Sequence, residues 1–273
     1  MLKKTINRSR LTGTFIFLGI ILSGCFEKKE GCLDVVATNF DAGADKNCCC
    51  IYPKLTLDVK HIYDSTNLSL TDVYTNNLGQ DFKVLSIAFY ISDVQLRSNG
   101  EWTPVSNVIE IRDHTGGIHV RPDDVTIINR QTFKFNVGEF LTPGSFDQLR
   151  FSIGLKAPEV NTDPESVPDD HPLSSTSSDQ LWDTTDGYLS YRISVIDTLQ
   201  QDTLQWKTPA TTMAFVDLEI DLKIDKQIGE DLVIPLEIDY RKWLQSVDIR
   251  SDSSEEINLK IRAGMESSIT FLQ

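Results

Sequence analysis

The sequence predicts an all-β protein, namely an antiparallel β-sandwich of the immunoglobulin-like or Greek-key type with long loops and at most short helices. Three observations predict it. From residue 54 onward, apolar residues recur at every second position, which is typical of strands with one buried face. Nine or more such segments follow one another, and few helical patterns separate them. Antiparallel strands with polar outer faces pack as two sheets, so a sandwich is favoured over a doubly wound α/β sheet.

The individual strands are predicted from this alternation. The alternating segments are, in chain order, 55–59, 149–155, 189–195, 216–224, 234–240 and 257–261, and the segments 105–111 and 132–137 complete the set. The run Val84–Leu96 is apolar at most positions, which predicts a central strand covered on both faces. Asp239 is expected to begin a short helix over Tyr240–Val247, with Trp243 and Leu244 facing the core.

Composition excludes several classes of protein. The chain has 273 residues with 40 acidic and 26 basic side chains, a formal net charge of −14, and 40% hydrophobic residues. The hydrophobic share supports a core of ordinary size, so a disordered chain and a collagen are excluded. A chain this acidic has no basic excess with which to displace counterions from phosphates, so we expect no nucleic-acid partner.

The N-terminus predicts export and a lipid anchor. The basic stretch Lys3–Arg10 precedes the apolar segment Leu11–Leu22, which is too short to span a bilayer comfortably. The following Leu22-Ser23-Gly24-Cys25 resembles a bacterial lipobox. The resemblance implies that residues 1–24 are a lipoprotein signal peptide and that Cys25 becomes an acylated first residue. Several acyl chains hold a protein on a membrane, so we expect an outer-membrane lipoprotein of the cell envelope, facing the periplasm or the surface. The alternative is an ordinary secretory signal.

Residues 25–53 are expected to form a tether and a small module rich in Cys and Asp, ahead of a sandwich domain at 54–273. Four cysteines lie in it: Cys32, Cys48, Cys49 and Cys50. An exported chain meets an oxidising compartment, so these are disulfide candidates. Adjacent cysteines rarely bridge, and Cys32 paired with one of the other three is therefore the expected bond. Closing a loop of roughly 17 residues would contribute about 3 kcal/mol.

The same module contains a candidate calcium site. Its sequence resembles a short acidic Cys motif of exported proteins from Bacteroidetes-type bacteria. Oxygen-bearing side chains recur at spacings that could surround one hard cation such as Ca²⁺, and they are Asp34, Asn39, Asp41 and Asp45. The alternative is that these residues form turns through local hydrogen bonds.

The chemistry-bearing motifs of common enzymes are missing from the sequence. It contains no Gly-x-Ser-x-Gly, no His-Glu-x-x-His and no phosphate-binding glycine loop, so we expect a protein that is not an enzyme. A carboxylate-dependent hydrolase stays an alternative, because two acids distant in sequence can meet in space. His114 and His119 lie on a Gly-containing loop and could share a metal ion. A solvated hairpin turn is the other interpretation of that loop.

One long segment lacks a strand pattern. Ala157–Asp186 contains four prolines and a run rich in Ser, Thr and Asp, and loops of this length are usually functional or disordered. The loop contains His171 and Trp182, which are the first candidates for metal binding.

Several short strings, taken in their order, resemble the MbnP-like family of exported bacterial proteins over roughly 55–273. They are Phe89–Leu96, Phe151–Gly154, His171-Pro172-Leu173, Leu181-Trp182, Gly187-Tyr188 and Tyr191-Arg192. The resemblance implies a β-rich fold and a periplasmic or lipid-anchored protein. It also implies a role in copper handling, sometimes beside a haem peroxidase-like partner, with His171 and Trp182 as site residues.

The sequence departs from the family pattern at two places. Thr184 stands where the family has a second Trp, and no His occurs near Trp206-Lys207-Thr208. A second hypothesis is therefore an interaction lipoprotein whose acidic faces and long loop contact a protein or glycan partner. An aromatic patch containing Trp102 or Trp206 beside carboxylates would favour a glycan.

Overall fold

A computed structural model of the chain describes residues 27–178, 181–212 and 215–273. The predicted signal peptide and the lipidated Cys25 lie outside the described residues and stay predictions. Within the described parts, no helix has both the length and the apolarity needed to cross a membrane. The strands described there are β1 (Glu30–Gly31), β2 (Lys46–Asn47), β3 (Lys54–Tyr63), β4 (Thr66–Asn67), β5 (Tyr74–Thr75), β6 (Asp81–Ser98), β7 (Glu101–Pro104), β8 (Val108–Arg112), β9 (Ile118–Pro122), β10 (Thr126–Asn129), β11 (Lys134–Glu139), β12 (Gly144–Ile153), β13 (Trp182–Asp183), β14 (Gly187–Asp197), β15 (Thr203–Pro209), β16 (Val216–Lys226), β17 (Leu232–Asp239) and β18 (Ile269–Phe271).

Helical structure in these ranges is brief. The two α-helices are Arg241–Leu244 and Ser254–Met265, and the three 3₁₀ turns are Glu159–Asn161, Pro164–Ser166 and Ala210–Thr212. Strands therefore dominate the described chain, as the period-two pattern predicts.

The strands form two main sheets. The large sheet has the order β13-β14-β6-β12-β16, with β5, β7 and β10 also paired to β6 and β15 paired to β14. The small sheet has the order β11-β3-β17-β18, with β4 paired to β3. One apolar core contains inward side chains of both sheets, among them Leu57, Val59, Phe89, Phe151, Ile193, Ile234 and Leu236. The predicted all-β sandwich is confirmed.

Strand β6 is the long central strand of the large sheet. Every residue of Ile87–Ser92 is buried, as expected for a strand covered on both faces. Phe89 and Ile91 face the main core, whereas Ala88 and Tyr90 belong to a second apolar cluster on the opposite face of the sheet. The central strand predicted at 84–96 is confirmed.

The pairing of β3 with β17 is parallel, which differs from the purely antiparallel arrangement that the sequence predicts. The chain leaves the large sheet after Lys226 and enters the small sheet at Leu232. The direction of β17 is therefore set by the direction of β16 and by the short turn between these two strands. Alternation reveals which face of a strand is buried, but it carries no information on strand direction.

The strand predicted at 257–261 is wrong, because these residues lie in the helix Ser254–Met265. Ile257 and Ile261 are buried at helical spacing, whereas Leu259 is exposed. Ser253 and Glu256 form a capping box, in which the Ser253 hydroxyl accepts the Glu256 N–H and the Glu256 carboxylate accepts the Ser253 N–H. That sequence signal marks the helix start.

A short helix follows Asp239 as predicted, but it spans only Arg241–Leu244 rather than 240–247, and its N-cap residue is Tyr240. The Asp239 carboxylate accepts the Arg241 N–H at 3.0 Å, and Trp243 and Leu244 are buried in the main core. The longer helix packs closely on this one at Gly264, where an added Cβ would overlap the Lys242 carbonyl. Glycine therefore sets the separation of the two helices.

A buried histidine joins the small sheet to the segment before β11. The His61 ring is stacked on Tyr240, and its Nδ1 accepts the Tyr240 hydroxyl at 2.8 Å. Its Nε2 lies 3.0 Å from the Thr132 carbonyl oxygen, which can only accept, so the proton resides on Nε2. Burial disfavours the charged ring and lowers the pKa of His61 from 6.5 to about 4.

This lowered pKa predicts acid destabilisation. Between pH 6.5 and pH 4 the unfolded chain protonates His61 while the folded chain does not, so the stability conferred by neutral His61 is lost as the pH falls. Urea unfolding of wild type should show a free energy of unfolding that falls by about 3 kcal/mol more between pH 7 and pH 4 than that of a His61→Gln variant. Exposed His114 provides the control, since His114→Ala should retain the wild-type pH dependence. Equal pH slopes for wild type and His61→Gln would contradict the prediction.

Candidate functional site

The long segment 157–186 forms a cover over the second face of β6. Leu173 and Leu181 are buried in the second apolar cluster together with Tyr90 and Tyr188. The Tyr90 hydroxyl donates to the Pro172 carbonyl at 3.1 Å, and the Tyr188 hydroxyl donates to the Leu173 carbonyl. Two buried tyrosines therefore hold the centre of the loop on the sheet, and the short strand β13 (Trp182–Asp183), which the sequence pattern did not predict, lies near its end.

His171 lies where this cover meets the edge of the sandwich, and it is 8% exposed. Its Nδ1 accepts the N–H of Leu173 at 3.1 Å, so the ring proton must be on Nε2. Nε2 donates this proton to the Asp123 carboxylate at 3.0 Å. Both ring nitrogens are thus engaged, and the ring links the loop to the segment that follows β9.

Asp123 extends this link into a chain of hydrogen bonds. Its second carboxylate oxygen accepts an N–H of the Asn107 side-chain amide at 3.0 Å, and Oδ1 of the same Asn107 side chain accepts the Glu139 backbone N–H at 2.7 Å. The loop, the region of the β8–β9 hairpin and β11 are therefore joined through His171. The carboxylate that orients the ring is thus not one of the loop's own acids but Asp123, 48 residues away in the chain.

A cavity of about 520 Å³ opens beside this link. Its walls include polar side chains of Asp123, Asp170, His171 and Asn107. The cavity is thus a place where a ligand could meet one imidazole and two carboxylates.

Trp182, the second candidate of the loop, begins the short strand β13 and pairs with Tyr188 of β14. It is partly buried against the second apolar cluster. Its packing supports the base of the cover, and the contacts described for Trp182 and His171 do not join the two side chains.

His114 and His119 lie on the hairpin formed by β8 and β9. His114 is exposed, and its N–H donates to the Asn161 carbonyl of the long loop. His119 Nε2 donates to Asp113 at 2.9 Å, and Asp113 also accepts the N–H groups of Thr115 and Gly117. Together these hydrogen bonds, of which the one from His119 has the largest effect, hold the pKa of Asp113 well below its usual range. The histidines have separate partners in this turn.

The Cys-rich module contains the disulfide Cys32–Cys50, while Cys48 and Cys49 are free thiols. The expected pairing of Cys32 with one of the three later cysteines is confirmed. The bond closes the module around β1 and β2, which pair in parallel.

The four candidate calcium residues of the module each have a role in local structure. Asp34 accepts the Val36 N–H, and Asp41 accepts the Gly43 N–H while pairing with Lys29. Asn39 bonds to the backbone of Cys49 and Ile51, and Asp45 accepts the Lys29 N–H. These hydrogen bonds are of the turn-forming kind, and calcium binding stays a prediction.

The described residues contain no group of three or more His, Cys, Asp or Glu side chains that could hold a metal ion. His171 supplies a single imidazole, whose Nδ1 could bind a metal only if the Leu173 N–H gave way.

The fold and this loop define a class of protein: an all-β sandwich in which one long loop, held by a buried histidine and two tyrosines, covers the central strand of the larger sheet. Within that class the chain belongs to the MbnP family, because the MbnP family model matches residues 52–260, which is more than half of its length. The predicted family is therefore confirmed.

Among solved structures, MbnP from Methylosinus trichosporium is similar to this chain. The identity is 14%, the match covers 72% of this chain and 79% of that chain, and the TM-score is 0.41. A comparison with curated proteins finds no match.

The disulfide leads to a direct test. Non-reducing peptide mapping of the protein, purified without reductant, should yield one cross-linked peptide pair that joins Cys32 to Cys50. The double variant Cys48→Ser/Cys49→Ser is the matched control and should give the same pair, because neither thiol takes part in the bond. A bridge from Cys32 to Cys48 or Cys49, or four free thiols, would show that the pairing is wrong.

Proposed function

We propose that this protein is a lipid-anchored, non-enzymatic accessory protein of the bacterial cell envelope that takes part in copper handling. Three observations support the proposal. The chain belongs to the MbnP family, and its first 25 residues have the pattern of a lipoprotein signal. In addition, the long loop 157–186 contains His171, whose ring is oriented by hydrogen bonds and lies beside a cavity.

Among individual residues, the hydrogen bond between His171 and Asp123 is the main support for copper binding. A carboxylate that accepts the N–H of one imidazole nitrogen fixes the tautomer and makes the other nitrogen a more basic metal ligand. Asp123 accepts from Nε2, so Nδ1 is the nitrogen that a copper ion would take in exchange for the Leu173 N–H. Copper supplies the redox or transfer chemistry, and this chain supplies an oriented nitrogen.

A single imidazole fits a protein that passes copper on better than one that stores it. A storage site needs a full set of ligands from one chain, whereas a transfer site can share its ligands with a partner. A haem peroxidase-like protein, or another protein of the same compartment, would complete the set. Asp170, which also lines the cavity, is a candidate for a second ligand from this chain.

The alternative is an interaction lipoprotein in which His171 is purely structural. The hydrogen bond from the Leu173 N–H to Nδ1 favours it, because this bond and the contact with Asp123 together occupy both ring nitrogens. In that case His171 stabilises the cover and binds no metal.

Copper titration distinguishes these two functions. Wild type should bind one copper ion, and His171→Ala should weaken binding by about tenfold or more, because the ligand nitrogen is lost. His114→Ala is the matched control, since it removes an exposed imidazole and should leave copper affinity unchanged. Thermal unfolding of all three proteins separates a loss of ligand from a loss of folding.

Two results would contradict the copper function. If wild type and His171→Ala bind copper equally weakly while only His171→Ala melts at a lower temperature, His171 is a structural residue. If His114→Ala weakens binding as strongly as His171→Ala, copper binds elsewhere on the surface.

The lipid anchor is tested by intact-mass analysis of the native protein. The mature chain should begin at Cys25 and carry two or three acyl chains, because Leu22-Ser23-Gly24-Cys25 has the order of a lipobox. A Cys25→Ser variant should be soluble or unprocessed. A Cys25→Ser protein that is still cleaved and still membrane-bound would disprove the anchor.

A further inference from the structure

A second cavity lies on the outer face of the large sheet, where β6, β12 and β16 run side by side. Its volume is about 250 Å³. Three carboxylates, two cations and two neutral polar groups line it: Asp93, Asp217, Glu219, Arg150, Lys156, Gln95 and Ser152. This cavity is separate from the one beside His171, which has no lining residue in common with it.

A β-bulge shapes one wall. The register between β6 and β12 shifts between the pair Arg150–Gln95 and the pair Ser152–Ser92, so β6 carries an extra residue there. Asp93 lies at this point with φ +56°, a left-handed conformation that Asp adopts more readily than most residues. Bulges redirect side chains out of the regular alternation. Here the redirected carboxylate lies 3.2 Å from the Lys156 ammonium.

Each cation of the cavity lies over an aromatic ring. The Arg150 guanidinium is 4.3 Å from the ring centroid of Trp102, and the Lys156 ammonium is 4.8 Å from that of Phe215. Both rings are partly exposed. Cation–π contact holds the two long side chains in place, so the cavity has pre-oriented donors, and the two rings adjoin it through these cations.

A row of planar polar groups crosses the cavity. Gln95, Arg150 and Glu219 are cross-strand partners on β6, β12 and β16, and Arg150 donates to the Gln95 side-chain oxygen at 2.7 Å. The guanidinium carries five N–H donors, and the neighbouring amide and carboxylate add acceptors and further donors. Donors and acceptors thus alternate across a shallow surface.

The charges of the cavity narrow the class of ligand. Lys156 already pairs with Asp93 and with Asp217, so an ionic ligand would have to displace an existing pair. The lining has one more carboxylate than it has cations, which disfavours an anion. A purely apolar ligand would remove water from the charged side chains without offering them hydrogen bonds in exchange, which is unfavourable. A neutral molecule with many hydroxyl groups meets all of these conditions.

We propose that this cavity binds a neutral carbohydrate. Sugar hydroxyls would exchange hydrogen bonds with Gln95, Arg150 and Glu219, while the C–H face of the sugar ring packs beside Trp102. The site is independent of copper, since it lies on the open part of the large sheet and uses none of the residues near His171.

Affinity electrophoresis tests the site with three neutral polysaccharides, namely dextran, mannan and xylan, and with anionic polygalacturonate. Wild type should be retarded by at least one neutral polymer. Trp102→Ala and Glu219→Gln should each weaken that association by about tenfold or more, because one loses ring contact and the other a charged acceptor. Trp102→Phe should retain most of the binding, since it keeps an aromatic ring.

Lys223→Ala is the matched control, because Lys223 lies on β16 outside the cavity and its loss should not alter binding. Circular dichroism confirms that each variant is folded. Three results would overturn the proposal: no retardation by any neutral polymer, retardation by polygalacturonate alone that disappears in salt, or variants that bind as wild type does. His171→Ala should still bind the polysaccharide, so this test is separate from the copper test.

Discussion

Burial of β6 on both faces is the constraint on which the rest of the structure depends. One face of this strand packs on the small sheet, and that contact forms the main core. The other face carries Ala88 and Tyr90, which cannot be left in water without losing the stabilisation that apolar burial provides. The long loop 157–186 supplies the cover, and Tyr90, Tyr188 and the His171 ring form hydrogen bonds with the backbone of Pro172 and Leu173 at its centre. The loop has its structure because β6 requires a cover.

The outer face of the large sheet is consequently divided into two environments. Residues 87–92 of β6 are all buried, whereas beyond the bulge at Asp93 the outward side chains of the strand, such as Gln95 and Arg97, are half-buried. The covered part places a histidine and its carboxylate beside one cavity, and the open part exposes charged and aromatic groups around another. The bulge at Asp93 lies between these two parts of the strand, and the regular pairing of β6 with β12 is interrupted there. The same sheet therefore has two candidate sites, one beside the loop that covers β6 and one on the uncovered part of the outer face.

Sequence reasoning predicts the sheets well because burial of one strand face leaves a direct mark at every second residue. It failed at 257–261, where Ile257, Leu259 and Ile261 imitate alternation although only the first and last are buried. The capping box Ser253–Glu256 was the stronger signal there. The candidate histidine of the loop could be named from sequence, but its partner could not. Asp123 is one of 40 acids, and only the path of the chain in space brings it to His171. The parallel direction of β17 was hidden for the same reason.

The parallel pairing of β3 with β17 also affects when the protein can fold. Lys60 and Glu237 face each other across these strands although 177 residues separate them in the chain. Contacts of such long range form slowly, because closing the intervening chain costs entropy before any contact is gained. A growing polypeptide that ends before β17 holds β3 without its central neighbour, and the small sheet stays incomplete. Assembly of the small sheet therefore has to wait until the residues of β17, 232–239, have been synthesised.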